Sequence, residues 1–334
     1  MKIAVIGAGG MGRIHAEAHR SNLAVRLAGI VDADPAAAAR LASDTGARPY
    51  PTLESLLEAE QPDVVDICLP TPLHKAYVLK AAAFGKHVIC EKPLAGSIAD
   101  AEEMIEACEK AGVRLFVGHV LRFFPEYAKA RDVIVSEALG QIATVRTERV
   151  SAAPTGRDGW YADYAKSGGV LLDLLIHDFD WLRWTFGEIE RVYARSVAAA
   201  RPDHAFVSLR FASGVIGYAS GSWAYPEGFA TRLEVAGQGG ILSLDSEEAA
   251  TNRNLLRAAE AGRPSVQVPG SPLFKSPYEE ELAHFVACLA DGTEPVVTAR
   301  DALEALRVSL AAIRSAATGE AVTLSSCEGR QGIA

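Results

Sequence analysis

The sequence has few of the residues that mark several common protein classes. Only five cysteines occur among 334 residues, and no two of them have the CxxC spacing of a metal or redox motif. No apolar run reaches the roughly 18 residues of a membrane-spanning helix. Lys and Arg (33) are outnumbered by Asp and Glu (42) and form no basic cluster. We therefore expect no disulfide framework, no metal site, no membrane association and no nucleic-acid partner.

The remaining composition is that of a globular protein. Half of the residues are hydrophobic (49%) and 22% are charged, and the length suits two domains. The net charge is −9. Met1 and Lys2 lead straight into a short apolar run, without the features of a signal peptide. These observations predict an acidic cytoplasmic enzyme with two domains.

The first 120 residues alternate between strand and helix patterns. Short apolar runs occur at 2–6, 27–32, 64–69, 87–90 and 114–117. Helical patterns separate these runs, which indicates a parallel sheet covered by helices on both faces. We predict an α/β domain of the Rossmann type, a doubly wound parallel sheet, over residues 1–120.

The pattern changes after residue 120. One helix pattern covers 169–186 and two more, at 277–289 and 299–318, close the chain. Strand patterns follow one another at 142–150, 192–197, 205–211, 215–223, 231–236 and 241–244. Strands in succession favour antiparallel pairing. We predict an α+β domain over residues 121–334, with a large, mostly antiparallel sheet flanked by helices.

A glycine-rich motif at the N-terminus indicates dinucleotide binding. The run Gly7-Ala8-Gly9-Gly10-Met11-Gly12 fits GxGxxG between a strand and a helix, and Asp32 ends the next apolar run 20 positions after Gly12. Gly7 permits the tight turn, Gly9 lets the backbone approach a pyrophosphate, and Gly12 lets helix and strand pack closely. Asp32 would bind ribose hydroxyls and repel a 2′-phosphate, which favours NAD over NADP. The alternative is a turn-forming glycine cluster beside a solvated carboxylate.

Further motifs follow in a fixed order. They are Pro70-Thr71-Pro72 with His74, Gly85-Lys86-His87-Val88 leading to Glu91-Lys92-Pro93, and Gly168-Gly169-Val170-Leu171-Leu172-Asp173 with His177. Together they resemble the glucose–fructose oxidoreductase and inositol dehydrogenase (Gfo/Idh/MocA) family over nearly the whole chain. The resemblance implies hydride transfer between NAD and a secondary alcohol of a sugar, inositol or related polyol, by a homodimer or homotetramer. Leu175 stands where many relatives have a small residue, which leaves the substrate open.

Three residues are candidates for the chemistry. Lys92 follows a predicted parallel strand, at the edge where doubly wound sheets bind ligands, and its ammonium could stabilise alkoxide character. Asp173 and His177 are four positions apart and would share one face of a helix, and histidine exchanges protons near neutral pH. The alternatives are a surface lysine and a structural Asp–His pair. The resemblance implies that His177 takes the hydroxyl proton, Lys92 holds the substrate oxygen and Asp173 orients the substrate. Either Lys92 or His177 could be the formal base.

The resemblance adds less specific positions. It implies that the cofactor also contacts Leu69, Thr71, His74, Glu91 and Lys92. It also implies a cis Lys92–Pro93 bond. Arg122 falls where substrate contacts occur, although it could instead pair with Glu126 or a neighbour. Trp160 could approach the nicotinamide or the substrate, or could belong to the core.

Two other functions are compatible with the same residues. Some relatives use tightly held NAD to cleave glycosides through transient oxidation and elimination, and a non-catalytic sensor would bind NAD and a sugar without turnover. Accumulation of NADH separates a dehydrogenase from both. One face of the predicted second sheet, carrying Tyr218, Trp223 and Tyr225, is a candidate oligomer contact unless helices of the same chain cover it.

Overall fold

The computed structural model describes residues 1–197, 203–247 and 275–324. The chain divides into two compact units. The first unit comprises Met1–Pro125, Thr155–Ser167 and Val268–Leu306, and the second comprises Glu126–Pro154, Gly168–Gln267 and Arg307–Ala334. The four described cysteines are free thiols, and three of them (Cys90, Cys108 and Cys288) are buried. Cys327 lies outside the described residues.

A parallel sheet forms the centre of the first unit. Its strands are β1 (Lys2–Ile6), β2 (Arg26–Val31), β3 (Arg48–Tyr50), β4 (Val64–Ile67), β5 (His87–Glu91) and β6 (Leu115–Gly118). They lie in the order β3-β2-β1-β4-β5-β6, and every neighbouring pair is parallel. The predicted doubly wound sheet is confirmed. Only the short edge strand β3 was not predicted.

Helices cover both faces of this sheet. They are α1 (Gly10–Ser21), α2 (Pro35–Thr45), α3 (Leu53–Glu60), α4 (Thr71–Ala83) and α5 (Ile98–Ala111), joined by α9 (Pro277–Asp291) from late in the chain. On one face, α1 and α9 pack with strand residues such as Ile3 and Ile89. Phe116 of β6 stacks on Phe285 of α9, with ring centroids 4.9 Å apart. Each such buried side chain contributes about 1.5–3 kcal/mol of hydrophobic stabilisation.

A mixed sheet forms the centre of the second unit. Its strands are β7 (Ile142–Ala152), β8 (Ile189–Val197), β9 (His204–Phe211), β10 (Ile216–Ser222), β11 (Ala224–Gly237), β12 (Gly240–Asp245) and β13 (Val322–Thr323). They lie in the order β12-β11-β7-β10-β9-β8-β13. The pair β7–β10 is parallel, and the other described pairs are antiparallel. The prediction of a mostly antiparallel sheet is confirmed.

The strands of the second sheet alternate between buried and exposed side chains. Val207 and Leu209 face the interior, whereas Phe206 is 61% exposed and Tyr218 is 46% exposed. Trp223, which the sequence placed on the exposed face, is buried. Since successive strand residues point to opposite faces, one face of the sheet presents apolar side chains to the exterior of the chain.

The predicted helix over 169–186 is two structures. A π-helical turn covers Val170–Leu174, and α8 covers Ile176–Phe186. The Leu175 N–H donates to Val170 O at 2.9 Å, five residues back. The prediction of a single α-helix was therefore wrong at its start. Asp173 lies in the π-helical turn and His177 in the first turn of α8, and the shared face that their four-residue spacing suggests stays a prediction.

Tertiary contacts explain this turn. Gly169 has φ +60° and ψ −157°, a conformation open essentially to glycine. The Val170 N–H donates to Asp203 Oδ2 at 2.7 Å. A Cβ on Gly221 of β10 would lie 2.7 Å from Val170 Cγ1 and 2.8 Å from Leu175 Cγ. The sequence pattern of 169–186 contains none of these contacts, because they involve residues far along the chain.

Five further elements complete the described chain. They are 3₁₀ turns at Val120–Phe123 and Arg157–Ala162, and the helices α6 (Pro125–Val135), α7 (Tyr164–Ser167) and α10 (Ala299–Thr318). The predicted bounds of α10 are confirmed. Within the described ranges, no helix combines the length and apolar character needed to cross a membrane.

Candidate active site

The carboxyl edge of the first sheet carries the predicted cofactor residues. The strand order runs outward from β1 in both directions, to β2 on one side and to β4 on the other. Loops from neighbouring strands diverge at such a point, which opens a crevice at the carboxyl ends of the strands. Gly7 follows β1, Asp32 follows β2, Leu69 lies two residues beyond β4, and Lys92 follows β5. The fold therefore brings these four positions to one edge.

The glycine-rich turn has two kinds of glycine. Gly7 has φ +106°, and a Cβ there would lie 2.3 Å from Cys68 O. A Cβ on Gly12 would lie only 1.8 Å from Gly7 O, so the turn needs both glycines in order to close. Gly9 and Gly10 have nothing within 4 Å of such a Cβ. Their open surroundings lie at the N-terminus of α1, where no side chain caps the helix.

Asp32 is fixed against this turn. Its Oδ2 accepts the Ala8 N–H at 2.7 Å, and its Oδ1 accepts the Asp34 N–H at 2.7 Å. The side chain is largely buried. Two backbone donors therefore hold the carboxylate, one of them in the glycine-rich turn, and its contact with a ribose stays a prediction.

His74 joins the loops that follow β4 and β5. Its Nε2 lies 2.7 Å from Leu69 O and its Nδ1 lies 2.9 Å from Pro93 O, with the ring fully buried. Burial lowers the pKa of His74, although its bonds to carbonyl groups oppose the shift. Thr71, the first residue of α4, is also buried. The ring of His74 thus holds backbone in place at the edge that carries Leu69 and Lys92.

Lys92 is backed by a buried cluster that the sequence did not reveal. The Lys92 N–H donates to Glu91 Oε2 at 3.0 Å, and Glu91 Oε1 lies 3.0 Å from His15 Nε2. His15 Nδ1 lies 2.9 Å from Asp66 Oδ2, and His19 Nε2 lies 2.7 Å from the same oxygen. The Lys92–Pro93 bond is cis, as the resemblance implied.

The same cluster contains the closest approach to a metal-ligand set among the described residues. Potential ligand atoms of His15, Asp66 and Cys68 lie within 4.8 Å of one another. Burial raises the pKa of Cys68 to about 12, so the thiol is protonated in this arrangement. The Cys68 Sγ lies 3.6 Å from Asp66 Oδ1 as a weak donor. Hydrogen bonds therefore link the three side chains of this group to one another.

Arg122 and Trp160 also lie in the first unit. Arg122 is buried, donates to Val296 O at 2.6 Å and lies 3.5 Å from Asp301 Oδ2. Arg122 therefore has an acidic neighbour in Asp301, as the ion-pair alternative allowed. Trp160 packs on Tyr161 with ring centroids 4.0 Å apart and is half-buried. Contacts of either residue with a substrate remain predictions.

Asp173 and His177 lie in the second unit. Asp173 is in the π-helical turn and largely buried, and His177 is half-buried in the first turn of α8. The residue after His177, Asp178, forms a buried ion pair with Arg149 of β7. Arg149 Nε donates to Asp178 Oδ2 at 2.6 Å, and Nη2 donates to Oδ1 at 3.3 Å. This two-pronged pair fixes the start of α8, and His177 with it, to the sheet.

Comparisons with known proteins identify the family of this chain. The sequence model of the family described as "Oxidoreductase family, NAD-binding Rossmann fold" matches residues 1–119, and that of the "GFO/IDH/MocA C-terminal domain" matches residues 127–243. The chain is 32% identical to a myo-inositol 2-dehydrogenase of Thermotoga maritima, over 94% of this chain and 96% of the relative. It is 31% identical to an inositol 2-dehydrogenase of Rhizobium meliloti, over 97% and 99%.

Solved structures show the same architecture. The structure of GenD2 from gentamicin A biosynthesis in complex with NAD has a TM-score of 0.87 at 29% identity, covering 98% of this chain and 97% of that one. A probable dehydrogenase from Thermotoga maritima has a TM-score of 0.83 at 30% identity, covering 97% and 98%. With both family regions matched along the chain, this protein belongs to the Gfo/Idh/MocA family of NAD-binding oxidoreductases.

Proposed function

We propose that this chain transfers a hydride between NAD and a secondary alcohol of a sugar, inositol or related polyol. The observation that carries the proposal is the position of Lys92, which follows β5 at the sheet edge that also holds the glycine-rich turn and Asp32. Membership of an oxidoreductase family and the inositol dehydrogenases among the relatives support the substrate class. We assign cofactor binding to residues 1–120, and substrate binding and oligomerisation to residues 121–334.

The residues of the first unit fit NAD. Open space around Gly9 and Gly10 at an N-terminus without a side-chain cap suits a pyrophosphate. When bound, NAD would supply the carbon that accepts the hydride. Leu69, Thr71, His74 and Glu91 would complete the cofactor site from the loops after β4 and β5.

We propose that NAD is preferred to NADP. The buried carboxylate of Asp32 would bind the ribose hydroxyls and repel a 2′-phosphate. The ratio of kcat/KM for NAD to that for NADP should therefore exceed one, and Asp32→Ser should reduce the ratio at least tenfold. A preference of the unaltered protein for NADP would contradict this assignment.

The chain's own residues would divide the proton chemistry. Lys92 would bind the substrate oxygen and stabilise its negative charge as the hydroxyl is deprotonated. His177 would take that proton, and Asp173 would orient the substrate. Arg122 and Trp160 would contact the remainder of the polyol.

Lys92→Ala tests this function directly. Initial rates of NADH formation are measured with a panel of inositols, aldoses and their glycosides. We expect the variant to lose about 10²–10³-fold in kcat, as when one stabilising donor is removed from an active site. Lys110→Ala, on an exposed side chain that pairs with Glu106, is the matched control and should keep full activity.

Other outcomes of the same panel would overturn the proposal. Cleavage of glycosides without accumulation of NADH would indicate an NAD-dependent glycosidase. NAD binding without turnover of any polyol or glycoside would indicate a sensor. Full activity of Lys92→Ala would remove Lys92 from the mechanism.

We further propose a cytoplasmic homodimer or homotetramer that forms through the exposed face of the second sheet. Tyr193, Ser208 and Tyr218 lie side by side on neighbouring strands of this face, and Phe206 and Ile216 are also exposed on it. Contiguous exposed apolar side chains of this kind mark association sites. Phe206→Glu should reduce the mass found by sedimentation equilibrium, and an unchanged mass would exclude this face.

A further inference from the structure

Behind the Lys92 loop, ionisable side chains form a continuous buried chain. It runs from His19 through Asp66 and His15 to Glu91, and ends at the Lys92 N–H, with successive contacts of 2.7, 2.9, 3.0 and 3.0 Å. His15, His19 and Asp66 are at most 1% exposed, and Glu91 is 5% exposed. These contacts link α1, β4 and β5 through histidine and carboxylate side chains.

The contacts of His15 require one proton more than a neutral imidazole and two ionised carboxylates supply. Both ring nitrogens of His15 face carboxylate oxygens, Asp66 on one side and Glu91 on the other. A neutral imidazole has one donor and one acceptor, so it would turn a lone pair towards one of the two carboxylates. Placing a second proton on the ring makes both contacts charge-assisted hydrogen bonds. It also offsets buried negative charge, which is costly when left unbalanced.

The electrostatics of the pair agree with this assignment. Burial by itself lowers the pKa of His15, but the charge of Asp66, the neighbouring Cys68 and the hydrogen bonds to both together more than offset burial, so the pKa lies well above its usual value. Burial by itself raises the pKa of Asp66, and the contacts with His15 and His19 more than offset that effect. Cys68 also faces His15, as a neutral thiol, and the Tyr278 ring lies 6.4 Å away.

We propose that His15 is a permanently protonated positioning residue for the active site. Its imidazolium ties Asp66 of β4 to Glu91 at the end of β5. Glu91 in turn holds the Lys92 peptide, and so sets where the lysine side chain begins. The proposal rests on the role proposed above for Lys92.

Nitrogen-15 NMR of the full-length protein with labelled histidines tests whether the His15 ring is charged in the unaltered protein. At pH 9, both ring nitrogens of His15 should carry a directly bonded proton, whereas exposed histidines should carry one. The signals of His15 are identified as those that disappear from the spectrum of the His15→Gln variant. A His15 ring with a single protonated nitrogen at pH 9 would overturn the proposal, whatever the activity of the enzyme.

Kinetics test the positioning role. His15→Gln should lower kcat at least tenfold while changing the KM for NAD less than threefold, because a displacement near 1 Å in an active site costs about 10²-fold. His19→Gln is the matched control, since His19 contacts Asp66 but not Glu91, and its kcat should stay within threefold of the unaltered protein.

A double variant tests whether His15 acts through Glu91. If it does, His15→Gln combined with Glu91→Gln should lose no more kcat than Glu91→Gln alone. Additive losses, or equal losses in His15→Gln and His19→Gln, would refute the positioning role. These results differ from failure of the proposed function, which full activity of Lys92→Ala would reveal.

Discussion

The glycine-rich turn allows the fold and the cofactor site to be perturbed separately. A Cβ on Gly12 would lie 1.8 Å from Gly7 O, against about 3.5 Å for an ordinary contact. Because the obstacle is backbone, the turn itself must move. We expect Gly12→Ala to cost about 3 kcal/mol or more, at or beyond the usual upper end for overpacking. For a chain of 334 residues the entropy of unfolding is about 0.7 kcal/mol/K, so that loss corresponds to a fall of about 4 °C in the melting temperature.

Gly9→Ala should give the opposite result. Nothing lies within 4 Å of a Cβ at Gly9, and its φ of −76° suits any residue. The free energy of unfolding should therefore stay within about 0.5 kcal/mol of the original value. NAD affinity should nevertheless fall at least tenfold, since the methyl group would occupy the space that the pyrophosphate needs.

Two assays on the same preparations separate the effect of each substitution on stability from its effect on NAD binding. Differential scanning calorimetry without cofactor gives the melting temperature, and isothermal titration calorimetry gives the Kd for NAD. Gly96→Ala, at an exposed glycine outside the glycine-rich turn with nothing within 4 Å of an added Cβ, is the control for an added methyl group. An unchanged melting temperature in Gly12→Ala would refute the packing argument. An unchanged Kd in Gly9→Ala would refute the assignment of the phosphate site.

Three further perturbations follow from buried groups. The pKa of His15 is higher in the folded protein than in the unfolded chain. The contribution of His15 to the free energy of unfolding is therefore complete below about pH 6.5, the ordinary pKa of histidine. Above that pH the contribution falls by up to about 1.4 kcal/mol per pH unit, until the pH passes the pKa of His15 in the folded protein. Urea unfolding should therefore show the stability gap between the unaltered protein and His15→Gln narrowing from pH 6.5 to 9. Asp178→Ala should cost about 3–5 kcal/mol, since it strands the buried Arg149 charge. Gly221→Ala should cost about 1–3 kcal/mol and lower kcat, because its Cβ would overlap the π-helical turn 170–174.

Each of these perturbations has a clear contrary result. A stability gap that stays constant from pH 6.5 to 9 would mean that His15 does not change protonation on unfolding. For the ion pair, the single variant Asp178→Ala is compared with a double variant that combines Asp178→Leu with Arg149→Met. The double variant should be the more stable of the two, because it leaves no buried charge without a partner. If Gly221→Ala retains full kcat, the π-helical turn does not position Asp173.

Local patterns predicted most of the fold. The bounds of β1 and α10 agree with the structure, because apolar spacing, Gly and Pro specify such elements within a few residues of sequence. The short strand β3 was missed because Arg48–Tyr50 offers too little pattern and contains Pro49. The π-helical turn was missed because its geometry depends on Gly221 and Asp203, far away in the chain.

For the candidate site, as for the fold, the parts that local sequence patterns determine were predictable and the parts that depend on distant residues were not. The glycine motif and Asp32 have a spacing that one strand and one helix determine. The partners of His15 lie 51 and 76 residues away, and no local pattern pairs them. The one available signal was polar residues in apolar surroundings, namely Asp66 within the apolar strand β4 and two histidines on α1.

The predicted catalytic side chains share a form of local support. Glu91 immediately precedes Lys92, and Asp178 immediately follows His177. Each of these carboxylates is buried and faces a basic side chain of the same unit, His15 in the first unit and Arg149 in the second. An exposed ion pair contributes about 0–1 kcal/mol, whereas breaking a buried one costs about 3–5 kcal/mol. The backbone next to such a carboxylate is therefore costly to displace, and the neighbouring side chain is attached at a fixed point. Proton and hydride transfer require reacting groups that are held in position in this way.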